Sequence, residues 1–154
     1  MRERRRRIAL RAACALWMAL IFAMSAAPGD LSGMQSGRLA RFLAACLSPF
    51  FEMDAQAVGV LEILVRKGAH MTEYAVLFLL LRAALGESGV RGEGVKALLL
   101  TALYAVTDEF HQTFVPGRGP AALDVAIDTC GALIAWSAAR LAGRLKACLR
   151  RRKE

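Results

Sequence analysis

Apolar residues gather along this chain in four long runs, separated by short polar or glycine-rich breaks. The first, Ile8 to Ala27, is interrupted only by Arg11 and closes at Pro28-Gly29-Asp30, a sequence of helix breakers. About twenty helical residues at about 1.5 Å each just cross a hydrocarbon core of about 30 Å. The second, Ala69 to Leu85, is short by itself, but Val58 to Val65 just before it is also apolar, so a helix that begins earlier fits. A loop over Gly86 to Gly94 leads to the third run, about Val95 to Phe114. The turn Pro116-Gly117-Arg118-Gly119-Pro120 then leads to the fourth, about Ala121 to Ala142. The pattern predicts an all-α integral membrane bundle of about four transmembrane helices, over 8–27, 69–85, 95–114 and 121–142. It forms a single domain, 1–154, with no internal repeat.

Residues 28–66 form the one long connection. Within it, Leu39 to Phe51 is apolar with Arg38, Arg41 and Glu52 at its edges, which suits an amphipathic segment lying on the membrane surface; an ordered loop fits nearly as well.

Composition pulls two ways. Hydrophobic residues make up 56% of 154, yet the net charge is +8. Placement reconciles the two. If the four runs span and the N-terminus is cytoplasmic, the cytoplasmic regions and helix ends hold Arg2, Arg4 to Arg7, Arg11, Arg82, Arg91, Lys96, Arg140, Arg144, Lys146 and Arg150 to Lys153. The other side holds only Arg38, Arg41, Arg66, Lys67 and Arg118. The positive-inside rule therefore places both termini in the cytoplasm, with the basic ends beside anionic lipid headgroups. Nucleic acid is not an expected partner, because no soluble basic face or aromatic stacking platform accompanies the charge. The basic start, apolar run and Ser25-Ala26-Ala27 also resemble a signal peptide, but the run is long for one and its loss would leave an odd number of spans. The four cysteines have neither disulfide-framework nor zinc spacing and read as small apolar residues or bystanders.

Charged groups inside apolar helices cost about 2.5–3.5 kcal/mol each at the helix centre, so their placement is informative. Here they collect at helix ends that a four-span topology puts on one side, extracytoplasmic by the charge count. Lys67, His70 and Tyr74 form a stripe at i, i+3 and i+7, with Glu73 beside it. Asp108, His111 and Gln112 form another, with Glu109, and Arg118 occupies the turn. Asp124 and Asp128 are one turn apart, and Gly131 and Ala135 continue their stripe as a small-residue face suited to close helix packing. The short turn makes the last two spans antiparallel neighbours, which sets Asp108 and Asp128 at comparable depth below Arg118. A buried ion-pair network would use these groups structurally. Their number favours a functional cluster.

The pieces Lys67-x-x-His70-x-x-Glu73-Tyr74, then Thr107-Asp108-Glu109-Phe110-His111-Gln112-Thr113-Phe114-Val115-Pro116-Gly117-Arg118, then Asp124-x-x-x-Asp128-x-x-Gly131, resemble the VanZ-like family of bacterial membrane proteins. The resemblance covers 67–131 and the first span near Ser25, the one residue left of a Ser-rich end that many relatives carry. It implies a multi-pass protein of the bacterial inner membrane, acting at the cell envelope and associated with glycopeptide, chiefly teicoplanin, resistance. The family carries no agreed mechanism.

On the residues themselves, enzyme, binding protein and transporter stay open. The candidate acid–base set is His70, Asp108, His111, Asp124 and Asp128. The candidate substrate-binding set is Lys67, Glu73, Tyr74, Glu109, Gln112 and Arg118, with Arg118 and Lys67 suited to a phosphate of a lipid-linked substrate. Partners would be membrane lipids and a lipid-linked envelope precursor or glycopeptide. No cofactor is implied, and a set of His70, Glu73, Asp108 and His111 matches no defined metal motif. Ser25, Thr72 and Thr107 lack triad spacing and read as helix-packing hydroxyls. Trp17 and Trp136 read as packing or interfacial residues rather than ligand stackers. Oligomeric state is not legible.

Overall fold

The computed structural model describes residues 1–119 and 121–151; Pro120 of the expected turn and Arg152 and Lys153 of the basic tail lie outside the described residues. Five α-helices make up the fold, with no strand among the described residues: α1 (Arg2–Ser25), α2 (Gly29–Leu47), α3 (Ala55–Glu87), α4 (Glu93–Gln112) and α5 (Ala122–Arg151). Four of them carry the four apolar runs. The second run does begin early: α3 starts at Ala55, where the Asp54 carboxylate caps it by accepting from the Ala57 N–H at 2.7 Å. Its 33 residues reach about 50 Å, well beyond the hydrocarbon thickness. The connection 28–66 is thus mostly helical. Rather than a separate segment at 39–51, α2 begins at Gly29, just after Pro28, and packs on α3.

Helix α3 is the axle and packs against all four others. In contrast, among the described helices α2 packs on α3 alone. Although only Ala26 to Pro28 separate α1 from α2, these two helices do not pack on each other.

The interior combines two small apolar clusters with polar side chains. Ile21, Tyr74, Leu77 and Ala105 form one cluster; Phe78, Ala97, Ala132 and Ala135 form the other. Alanine and glycine let the backbones approach closely: a Cβ at Gly131 would lie 2.2 Å from the carbonyl oxygen of Met71. That contact seats the Asp124–Gly131 face of α5 against α3. Ser25, Asp108, Glu109, Gln112 and Asp128 are also buried, while Leu16, Leu20, Leu79, Leu99, Leu103 and Ile134 lie exposed on the outside. Helices α1 and α5 are each long and apolar enough to cross a membrane; in α3 and α4 the apolar runs are broken by Glu73 and Arg82 and by Lys96, Asp108 and Glu109.

Charged groups collect at both ends of this bundle. At one, Arg6 meets Glu87 at 3.2 Å, Arg11 meets Ser88 at 3.4 Å and Arg82 meets Glu93 at 3.6 Å. The other end holds the candidate site.

Candidate functional site

Four elements bring the polar cluster together: the C-terminus of α1, the middle of α3, the end of α4 with its following turn, and the start of α5. Asp108 is its hub. Its Oδ2 accepts from the Ser25 hydroxyl at 2.7 Å and from the Gln112 side chain at 3.0 Å. His70, Glu73, Tyr74, Arg118 and Asp128 all lie within its electrostatic reach. The stripe reading of Asp108 and Gln112 holds because residues four apart share a helix face.

Next to Asp108, the Tyr74 hydroxyl is fully buried. The Tyr74 hydroxyl, Asp108 Oδ1 and Asp128 Oδ1 have no hydrogen-bond partner among the described residues. In front of them, His70 Nδ1 stands 3.9 Å from Asp128 Oδ1 and 4.0 Å from Glu73 Oε2. Both distances exceed hydrogen-bond length, so the imidazole is locked to neither carboxylate. Lys67 is directly ion-paired with Asp124 across α3 and α5.

Two adjoining cavities open onto this cluster. The larger, about 470 Å³, lies between the end of α1, α2 and α3, and reaches Ser25, His70, Glu73 and Arg118. The smaller, about 230 Å³, lies under the α4–α5 turn and reaches Lys67, His70, Gln112, Arg118 and Asp124. Arg118 is anchored by its Nε to the Ala27 carbonyl at 3.1 Å and by Nη2 to the Met24 carbonyl at 3.5 Å, so it also caps the C-terminal end of α1. Burial pulls its pKa below the ordinary value, with Asp108 opposing; a guanidinium stays charged regardless.

Two candidates are used differently from the rest. His111 turns away and stacks on Phe22, with ring centroids 4.1 Å apart, and lines neither cavity. Glu109 accepts the Ala121 backbone N–H and so ties α4 to the start of α5. Among the described residues, no group of three or more His, Cys, Asp and Glu is arranged to hold a metal ion.

Sequence reasoning missed two residues. Ser25, read as a packing hydroxyl, is 2% exposed and bonds to Asp108 inside the site. Its position at the end of an apolar run was the available signal. Arg66, counted only among the charges of the non-cytoplasmic side, lines both cavities; its Nη2 reaches Glu62 at 3.3 Å and Ser36 at 3.5 Å. The i, i+4 spacing of Glu62 and Arg66 was its signal. Thr72 and Thr107 do bond to their own helix carbonyls, at 2.8 and 2.7 Å. Trp136 packs over Gly94, and the Trp17 indole donates to the Glu73 carbonyl at 2.9 Å. Of the cysteines only Cys14 is buried.

A family model described as VanZ/LLP1 matches residues 11–143. The match runs through α2 and the start of α3, and is wider than the motif core at 67–131. No curated protein and no solved structure matches the chain.

Proposed function

Because the chain belongs to the VanZ/LLP1 family, we propose that it is a multi-pass protein of the bacterial inner membrane that binds a phosphate-bearing, lipid-linked envelope substrate at its polar cluster. In this reading α1, the C-terminal part of α3, α4 and α5 are the four spans, both termini are cytoplasmic, and the cluster faces outward. The apolar exterior around a partly polar interior supports a lipid surround. Retention of α1 is supported by Ile21 and Ser25, which it contributes to the core and the site. The family's association with glycopeptide resistance makes the envelope the place of action.

One observation carries the proposal: Arg118, Arg66 and His70 converge on cavities that also have apolar walls. Guanidinium groups suit bidentate phosphate contacts, and apolar walls suit a lipid chain. A flippase path would need polar groups along the whole bundle, yet Ile21, Leu77, Phe78 and Ala105 fill its middle.

Arg118→Lys tests the reading. It keeps the charge but loses the planar fork, and should weaken binding of long-chain prenyl phosphates, with or without a sugar, about tenfold in neutral detergent. At matched protein levels it should also change glycopeptide susceptibility of expressing cells. Unchanged affinity together with unchanged susceptibility would reject phosphate binding here.

A second reading, acid–base chemistry by His70, is favoured by the three unpartnered atoms on Tyr74, Asp108 and Asp128 behind it. Asp128→Asn separates the two: it removes proton transfer and leaves a binding function in place.

A further inference from the structure

We infer that the groove between α1 and α3 at the basic end of the bundle binds an acidic phospholipid, its phosphate at Arg11 and one acyl chain along the groove. This site lies at the opposite end of the molecule from the polar cluster and does not depend on what the cluster binds.

The groove arises from two matching stripes. On α1, Arg11, Cys14, Ala15 and Met18 fall at i, i+3, i+4 and i+7; on α3, Leu81, Ala84, Leu85 and Ser88 repeat that spacing. The helices run antiparallel, so Arg11 stands level with Ser88 at one end, while Met18 and Leu81 meet the same core cluster at the other. Cys14, Ala15 and Ala84 are too small to fill the space between the stripes, which stays open to the outside of the bundle. Each wall is about 10 Å long at about 1.5 Å per residue, two-thirds of the roughly 15 Å that one leaflet contributes to the hydrocarbon core. Arg11 and Ser88 sit together at one end, and the rest of the lining is apolar or a buried thiol. An amphiphile therefore fits in one orientation, head at Arg11 and chain toward Met18.

The rim suits an anion. Arg11 Nη2 donates to the Ser88 hydroxyl at 3.4 Å, and among the described residues the guanidinium makes no other side-chain hydrogen bond and no ion pair. A guanidinium has five N–H donors in a planar fork, so others remain for a phosphate. Nor is Arg11 needed to cap α3, because the backbone N–H groups of Ser88, Gly89 and Val90 already take its last carbonyls.

Charge at this end decides the class of lipid. Glu87 pairs with Arg6 at 3.2 Å, Glu93 pairs with Arg82 at 3.6 Å, and Glu3 lies among Arg2 and Arg4 to Arg7. Arg140 adds to the same end, over Trp136 beside Gly94. Burial of the chain is common to acidic and zwitterionic lipids, and the basic surroundings favour the head that carries net negative charge.

Binding of dioleoylphosphatidylglycerol and dioleoylphosphatidylcholine, which share their chains, tests this on the purified full-length protein in neutral detergent, read by native mass spectrometry. The acidic lipid is expected to bind about fivefold tighter or more. Arg11→Gln should bring it down to the level of the zwitterionic lipid. Arg91→Gln removes the same charge from the exposed α3–α4 loop and should leave its affinity unchanged. Ala15→Trp fills the groove and should weaken both lipids about fivefold. Arg11 and Ala15 are both exposed, so neither change disturbs the core. Equal affinity for the two lipids overturns the inference, as does an acidic preference that survives Arg11→Gln and Ala15→Trp. An equal loss in Arg91→Gln would make the attraction a property of the whole basic end and overturn the site as well.

Discussion

Ser25, at the C-terminal end of α1, is 2% exposed and lies against Asp108 inside the site. With no nucleophile motif around it, its hydroxyl looked like helix packing, yet it donates the 2.7 Å hydrogen bond that holds Asp108 Oδ2. A buried carboxylate that loses a donor costs about 1–3 kcal/mol, so Ser25→Ala should lower the thermal midpoint in detergent, and Ser25→Thr should retain most of it. Equal midpoints for wild type and Ser25→Ala would mean that this bond contributes nothing to stability. The Asp108–Gln112 pairing was legible because i, i+4 spacing is a local property. The partner on α1 was not, since Ser25 and Asp108 lie 83 residues apart. His111 shows the reverse: helical spacing grouped it with Asp108, and Phe22 on another helix drew it aside.

Among the elements, α3 and α5 define the site through their close approach. Gly131→Ala would drive a Cβ to within 2.2 Å of the Met71 carbonyl oxygen, so something must shift. We expect a loss of about 1–3 kcal/mol, read as a lower melting midpoint. Gly59→Ala serves as the control. It lies within α3, a Cβ there meets nothing within 4 Å, and the change should be neutral or gain up to about 1 kcal/mol. Equal behaviour of the two variants would contradict the packing of α5 on α3. The small-residue face on α5 was legible as a periodicity. The earlier start of α3 was legible in the apolar Val58–Val65 stretch; its unbroken run from Ala55 was less so, because Glu62, Arg66 and Lys67 interrupt the apolar pattern that signals a membrane helix, though they do not interrupt helical hydrogen bonding.

Taken whole, the molecule segregates its charge into two ends separated by an apolar middle, and the proposed function depends on which end faces outward. A reporter cysteine on the α4–α5 turn, with Cys46 replaced, reads this directly. Gly119 is the better position, since a side chain there meets nothing within 4 Å, whereas Gly117 has φ +73° and abuts Gly29. Labelling by a membrane-impermeant thiol reagent in intact cells is expected. Labelling only after permeabilisation would put the cluster in the cytoplasm and remove envelope substrates from consideration.

The sequence by itself determined the helical class, the four apolar runs and the family, along with most of the polar residues at the site end, because periodicity, composition and motif spacing are properties of contiguous residues. Only the tertiary structure decided that α2 leans on α3 alone and diverges from α1, that Asp124 claims Lys67, and that Arg66 joins Arg118 at a shared cavity wall. Each of these depends on which faces of separate helices meet. Helix-to-helix register is set by small residues and buried polar pairs far apart in the chain, and no local pattern encodes it.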